Sequence, residues 1–155
     1  MNTKKSTALS STHDERVSTL SRRAVICGIA VLSLGINPEN AIAATGVTVN
    51  SSGQLEVSLT ANPALKKVGG VITIELNSGT SVALVRTSSS PQGFTALNLA
   101  CTHQGVTVQQ SGNRWVCPAH RSNFALNGKV VKGPATTNLQ SFKIKATTKN
   151  VVITL

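Results

Sequence analysis

Residues 94–135 read FTALNLACTHQGVTVQQSGNRWVCPAHRSNFALNGKVVKGPA, and the fold class is decided there. Short apolar runs alternate with Gly, Asn, Ser and Pro, which is how strands and tight turns are written. Gly93–Leu99 reads as a strand that delivers the chain to Cys101, and Asn113–Val116 as one that delivers it to Cys117. Asn123–Leu126 and Lys129–Lys132 flank Asn127-Gly128, a dipeptide suited to the positive φ angles of a two-residue hairpin.

Outward from this stretch the pattern repeats. Val47–Val49 and Gln54–Thr60 read as strands, the second with Leu55, Val57 and Leu59 alternating against polar neighbours. Gly70–Leu76 and Ser81–Arg86 flank Asn77-Ser78-Gly79-Thr80, a second expected hairpin, and Thr87–Gln92 with Pro91 reads as a loop. Ser141–Ala146 and Asn150–Leu155 form a last pair. No segment sustains a helical period, and no internal repeat is present. The expected class is all-β, with Cys and His on loops at strand ends.

Composition agrees. Apolar residues make up 40% of the 155, yet aromatics only 3%, with no Tyr and one Trp. Such a core is packed mainly from Val, Ile, Leu, Ala and Thr, a set that favours strands. The formal charge of +10 first suggests an anionic partner. Nucleic acid is not expected: the basic residues are scattered, and almost no aromatic rings are available to stack on bases.

The first 44 residues read as a leader. A polar, Ser/Thr-rich start is followed by Ser21-Arg22-Arg23 and an apolar stretch of 13 residues, Ala24 to Ile36. About 20 apolar residues are needed to span a bilayer. Ala41-Ile42-Ala43 then supplies small residues for a signal peptidase, so cleavage is expected after Ala43 or Ala44. The arginine pair resembles a twin-arginine export signal, with Val25, Ile26 and Cys27 departing from its usual residues. An ordinary secretory signal is the alternative. Ile26 before Cys27 argues against a lipoprotein site. Periplasmic localisation follows from either route, and a membrane-anchored protein facing the periplasm from an uncleaved leader. Residues 45–155 then form one domain, counted from Ala44 with ten Lys and Arg against Glu56 and Glu75, a formal +8.

This mature part holds two Cys and two His, all in two short motifs: Cys101-Thr102-His103 and Cys117-Pro118-Ala119-His120. Thirteen residues separate His103 from Cys117, enough for two short strands meeting at Gln110-Ser111-Gly112-Asn113. Neighbouring loops would then present one Cys/His pair each. Three chemistries use such residues: a Cys101–Cys117 disulfide, a tetrahedral zinc site, or an iron–sulfur cluster. The disulfide leaves both His without a role, and zinc has no need of the flanking Pro118, Ser122 and Gly133-Pro134.

With their flanks, these boxes resemble the Rieske family. Cys101-Thr102-His103-Gln104-Gly105 matches its first box and Cys117-Pro118-Ala119-His120-Arg121-Ser122-Asn123-Phe124 its second. Gly128 to Ala135 is similar to the hairpin and Gly-Pro segment covering the cluster, and the likeness runs from about Phe94 to Leu155. The resemblance implies a Rieske-type antiparallel β sandwich or barrel, with a small cluster-binding subdomain formed by two loops. It implies one 2Fe–2S cluster held by Cys101 and Cys117 on one iron and His103 and His120 on the other.

The expected function is electron transfer, by a soluble periplasmic carrier or a small oxidoreductase subunit docking on an acidic redox protein. Alternatives are a quinol-oxidising subunit of a cytochrome bc-type complex and a zinc-stabilised binding domain. Nothing in the residues implies catalysis by this chain alone. Around the implied cluster, Val106 and Ala119 stand where bc-type relatives carry a disulfide pair. Ser122 matches a serine donating to a bridging sulfide, and Phe124 replaces a tyrosine. One donor kept and one lost implies an intermediate potential within the Rieske range of about −150 to +300 mV. Arg121 stands where glycine is common, either favouring the reduced state or pointing to water. Gln104 and Val106 are expected in the rim that meets the partner.

Overall fold

The structure, a computed structural model, describes residues 44–155. The leader expected over residues 1–44 therefore lies outside the described residues, apart from Ala44. Eleven strands run in chain order: β1 Val47–Val49, β2 Leu55–Ser58, β3 Val71–Glu75, β4 Ser81–Arg86, β5 Phe94–Asn98, β6 Gln109–Ser111, β7 Arg114–Val116, β8 Asn123–Ala125, β9 Val130–Lys132, β10 Ser141–Ala146 and β11 Asn150–Thr154. All pairings named below are antiparallel, so the all-β expectation holds. Among the described residues no helix is long and apolar enough to cross a membrane.

Seven strands make a large sheet in the order β1-β2-β11-β10-β5-β4-β3, and β6-β7-β8-β9 make a small one. β10 turns the large sheet over on itself. Its first residues, Ser141 and Phe142, pair with β5, while Lys143–Ala146 pair with β11. Along it Phe142, Ile144 and Ala146 point to the core and Ser141, Lys143 and Lys145 to solvent, the period-2 pattern of a half-buried strand. The result is a half-barrel closed around Leu55, Val57, Ile72, Ile74, Val82, Leu84, Phe94, Ala96, Val151 and Ile153.

β4 explains how the second sheet is attached. Its residues Val82 to Val85 are apolar without a break, and all four are buried. Val82 and Leu84 enter the half-barrel core, whereas Ala83 and Val85 face the other way into a second cluster. β5 divides likewise, with Phe94 and Ala96 on one side and Leu97, followed by Leu99, on the other. A continuous apolar run marks a strand covered on both faces. The small sheet is the second cover.

That small sheet consists of four three-residue strands. Trp115 and Phe124 anchor it, each almost fully buried against the Leu97 and Leu99 face. The Trp115 indole Nε1–H donates to the Leu126 carbonyl at 3.2 Å, which removes the penalty of a buried donor. A hairpin forms at Asn127-Gly128 as expected, but not as a two-residue turn: only Gly128 takes a positive φ, 86°, and the bonds from the Ala125 N–H to the Lys129 carbonyl and from the Gly128 N–H to the Ala125 carbonyl bracket a loop of Leu126, Asn127 and Gly128. A Cβ at Gly128 would stand 2.7 Å from Leu97 Cδ2, so the turn itself packs on β5.

Most strands are one residue shorter at an end than the sequence reading expected, and two boundaries differ by more. The strand expected over Gln54–Thr60 is confined to Leu55–Ser58, because Leu59 and Thr60 leave it for the turn before Pro63–Lys66, a short 3₁₀ segment. Gln110 and Ser111 belong to β6 and pair with Trp115 and Arg114, leaving Gly112 and Asn113 as the turn.

Candidate metal centre

Two loops of one design carry the four candidate ligands. In the first, the Cys101 N–H donates to the Val106 carbonyl at 2.9 Å and the Gly105 N–H to the Cys101 carbonyl at 2.7 Å. In the second, the Cys117 N–H donates to the Ser122 carbonyl at 2.8 Å and the Arg121 N–H to the Cys117 carbonyl at 3.0 Å. Each loop is thus closed five residues beyond its cysteine and turned at the fourth. The turning residues are Gly105 at φ 75° and Arg121 at φ 63°. An antiparallel bridge between Ala100 and Thr107 leads into the first loop, and the β7–β8 pairing leads into the second.

The loops place like with like. Cys101 and Cys117 are both buried and unbridged, and both belong to the second core cluster. His103 and His120 are exposed, their ring centroids 5.0 Å apart and the planes 83° to each other. Burial pushes the Cys117 thiol up, but the backbone N–H groups of His120 and Ala119, with the Cys101 side chain, outweigh it. The thiol therefore sits below its ordinary range, a bias toward the thiolate that binds metal. One end of the site is thiol and buried; the other is imidazole and open.

A third segment clasps both loops. The Thr102 hydroxyl donates to the Thr137 carbonyl at 2.8 Å, and the Ala135 N–H donates to Ser122 Oγ at 3.0 Å. The Gly133–Pro134 peptide within this segment is cis. The segment returns to the small sheet where Asn138 Oδ1 accepts from the Val130 N–H and the Leu139 N–H donates to the Gly128 carbonyl. The sequence reading expected a covering Gly-Pro segment but not Thr102 and Thr137. A threonine beside a candidate ligand cysteine is the only local signal of that contact.

Ser122 is fully buried and its oxygen already accepts from Ala135, so its own proton remains for an acceptor at the site. Phe124 is fully buried with Trp115 and Cys117 in the second core cluster. Arg121 is exposed next to His120. Gln104 is exposed and Val106 is 37% exposed, so both stand in the rim around His103. The donors fit an iron–sulfur cluster with two unlike ends: buried sulfur ligands on one side, neutral nitrogen ligands near solvent on the other. Among the described residues no three His, Cys, Asp or Glu side chains gather where one metal ion could take them all.

An all-β half-barrel with a small loop-bearing sheet and a two-plus-two Cys/His set defines the class of iron–sulfur electron-transfer domains. The Rieske 2Fe–2S domain family matches residues 61–143. The chain belongs to that family, and its cofactor is a Rieske-type 2Fe–2S cluster.

The cytochrome b6-f complex iron-sulfur subunit of Synechococcus elongatus is 30% identical over 125 residues, covering 79% of this chain and 70% of the relative. That of a Prochlorococcus marinus strain is 40% identical over 63 residues, 39% of this chain and 35% of the relative. Among solved structures, the plasma membrane Rieske protein PetC3 from Synechocystis is 32% identical. It matches 56% of this chain and 87% of its own with a TM-score of 0.48. The apo form of a quaternary ammonium Rieske monooxygenase, CntA, is 19% identical with a TM-score of 0.50, over 59% of this chain and 30% of its own, a likeness of fold.

Proposed function

We propose that Cys101 and Cys117 hold one iron of the cluster and His103 and His120 the other, and that the exported chain transfers single electrons. The observation that carries this reading is the pair of equivalent loops, which bring the two cysteines into one buried cluster and set the imidazoles 5.0 Å apart. When bound, the cluster takes up and gives back one electron. The protein's part is to hold it still and to choose its exposed end. The buried cysteines and the clasp over Ser122 keep water from the sulfur end, while the exposed His rings offer the short path to a partner.

The same arrangement sets the potential. Ser122 supplies a donor toward the site, whereas Phe124 supplies none and no second cysteine pair is present at Val106 and Ala119. Donors near the sulfurs favour the reduced cluster. The balance gives an intermediate potential, and a redox titration at either extreme of the Rieske range overturns that assignment.

The preferred setting is a periplasmic carrier, or small oxidoreductase subunit, freed by cleavage after Ala43 or Ala44 of a twin-arginine-like leader. A second setting, an anchored subunit of a cytochrome bc-type complex, is favoured by the relative 30% identical across most of this chain. N-terminal sequencing of the protein from its native host separates them. A start at Ala44 or Thr45 in the soluble fraction supports the carrier; a retained leader in the membrane fraction supports the anchored subunit. For the cluster, EPR of the reduced protein is the test. A mixed Cys/His set gives a lower average g than an all-Cys cluster, and a colourless protein containing zinc overturns the reading.

A further inference from the structure

Arg121 is the one non-glycine residue with positive φ among the described residues. Its counterpart Gly105 meets nothing within 4 Å of the place a Cβ would occupy, so glycine there serves the backbone angle, not lack of room. The second loop has the same turn and bears a long cationic side chain on it. Left-handed backbone disfavours any side chain with a Cβ, and such strain gathers where a side chain has a task. Local bonds hold the residue in that conformation: its N–H is tied to Cys117, and its carbonyl accepts from Asn123 Nδ2 at 2.8 Å.

The surroundings fit a task outside the molecule. Arg121 is exposed and adjacent to His120 at the open end of the site. Lys132, also exposed, pairs with Asn123 across β8 and β9, so a second cation stands by the same loop. The two acidic residues of the described chain are occupied by neutral donors: Glu75 accepts from Ser81 and Glu56 from Asn150. We propose that Arg121 is the docking cation of the electron-exit face, receiving a carboxylate of the protein redox partner beside the imidazole pair. A guanidinium offers a bidentate fork to a carboxylate and steers its approach. This inference rests on the ligand assignment above.

The test is stopped-flow oxidation of the reduced, cluster-loaded protein by three oxidants: ferricyanide, tris(phenanthroline)cobalt(III), and an acidic blue-copper protein. Wild type is compared with Arg121→Gly, Arg121→Lys and Lys66→Gln. Lys66 is exposed and belongs to the turn packed at the Arg86 end of β4, opposite the end that leads to Cys101, so it controls for net charge. Rates are corrected by each variant's measured potential.

At low salt, Arg121→Gly is expected to slow both anionic oxidants on the order of threefold and to speed the cationic one, with the differences fading as salt rises. Arg121→Lys retains most of the wild-type rate, and Lys66→Gln changes little. Equal effects of Arg121→Gly and Lys66→Gln overturn the proposal, since net charge alone would then steer. So do corrected rates that no longer depend on residue 121, which would leave Arg121 only a tuner of potential. A slowed ferricyanide reaction with an unchanged acidic-protein reaction also overturns it. Loss of the ligand assignment is distinct: the reduced protein would then show no Rieske EPR signal before any kinetics begin.

Discussion

Gly105 and Arg121 occupy one position in two copies of a single turn: each lies four residues after a buried cysteine and donates its N–H to that cysteine's carbonyl. Both have positive φ, 75° and 63°. The pair therefore measures what the left-handed conformation costs at this site. Gly105→Ala adds a methyl group into open space, so its effect is almost wholly conformational. A loss of about 1 kcal/mol is expected, and Arg121→Gly should gain about 0.5–1 kcal/mol once the entropy of glycine in the unfolded chain is counted. Chemical denaturation of the loaded protein reads both. Opposite signs, with the smaller magnitude for Arg121→Gly, are the expected outcome.

Ser122 joins the clasp to the second loop. Ser122→Ala leaves the Ala135 N–H without its acceptor in a buried setting and removes the remaining hydroxyl donor. Stability should fall by about 1–3 kcal/mol. The midpoint potential should drop by about 60 mV, the one-electron equivalent of about 1.4 kcal/mol. Protein-film voltammetry and a thermal melt on the same preparation separate the two effects. A stable variant with an unmoved potential removes Ser122 from the tuning argument.

Thr102 joins the clasp to the first loop. Thr102→Val keeps the shape of the side chain and deletes the hydroxyl that donates to Thr137. The bond is exposed, so the stability change is small, about 0.5–1.5 kcal/mol. The larger effect is expected in the lifetime of the loaded site, because the covering segment then opens more often. Bleaching of the visible absorption during incubation with a chelator measures it, with faster loss in the variant and unchanged far-UV circular dichroism.

Gly128 ties the small sheet to the large one. A Cβ there meets Leu97 Cδ2 at 2.7 Å and is added at φ 86°, so Gly128→Ala combines a packing clash with backbone strain. The expected loss is about 2–4 kcal/mol, each of the two contributions being about 1–2 kcal/mol. Urea denaturation checks it, and a change below about 1 kcal/mol would show that the hairpin shifts off β5 without cost.

Much of this was legible in the chain itself. Period-2 runs such as Leu55, Val57 and the alternating β10 are local patterns, and Asn127-Gly128 marks the place of a hairpin, though not its turn type, in its own residues. Cys101, His103, Cys117 and His120 could be picked out because four ligand-type side chains lay in two short motifs with none to spare. Less legible were the strand ends. Leu59 looks like a continuation of Leu55 and Val57, and its N–H still donates to the Lys149 carbonyl in the register of the β2–β11 ladder, but the chain then turns toward Pro63–Lys66, a change of direction that no side-chain period announces.

By itself, then, the sequence determined the all-β class, the two Cys/His motifs and the family, since each depends on residues close together along the chain. Only the tertiary structure decided that Val82–Val85 serves two cores, that Thr137 and Ala135 reach back to Thr102 and Ser122, and that Arg121 repeats the turn of Gly105. The reason is physical. A side chain's period reveals which face it is on, but not which of two partners covers that face. A hydrogen bond between residues 35 apart, such as Thr102 to Thr137, leaves no periodic trace for a reader to find.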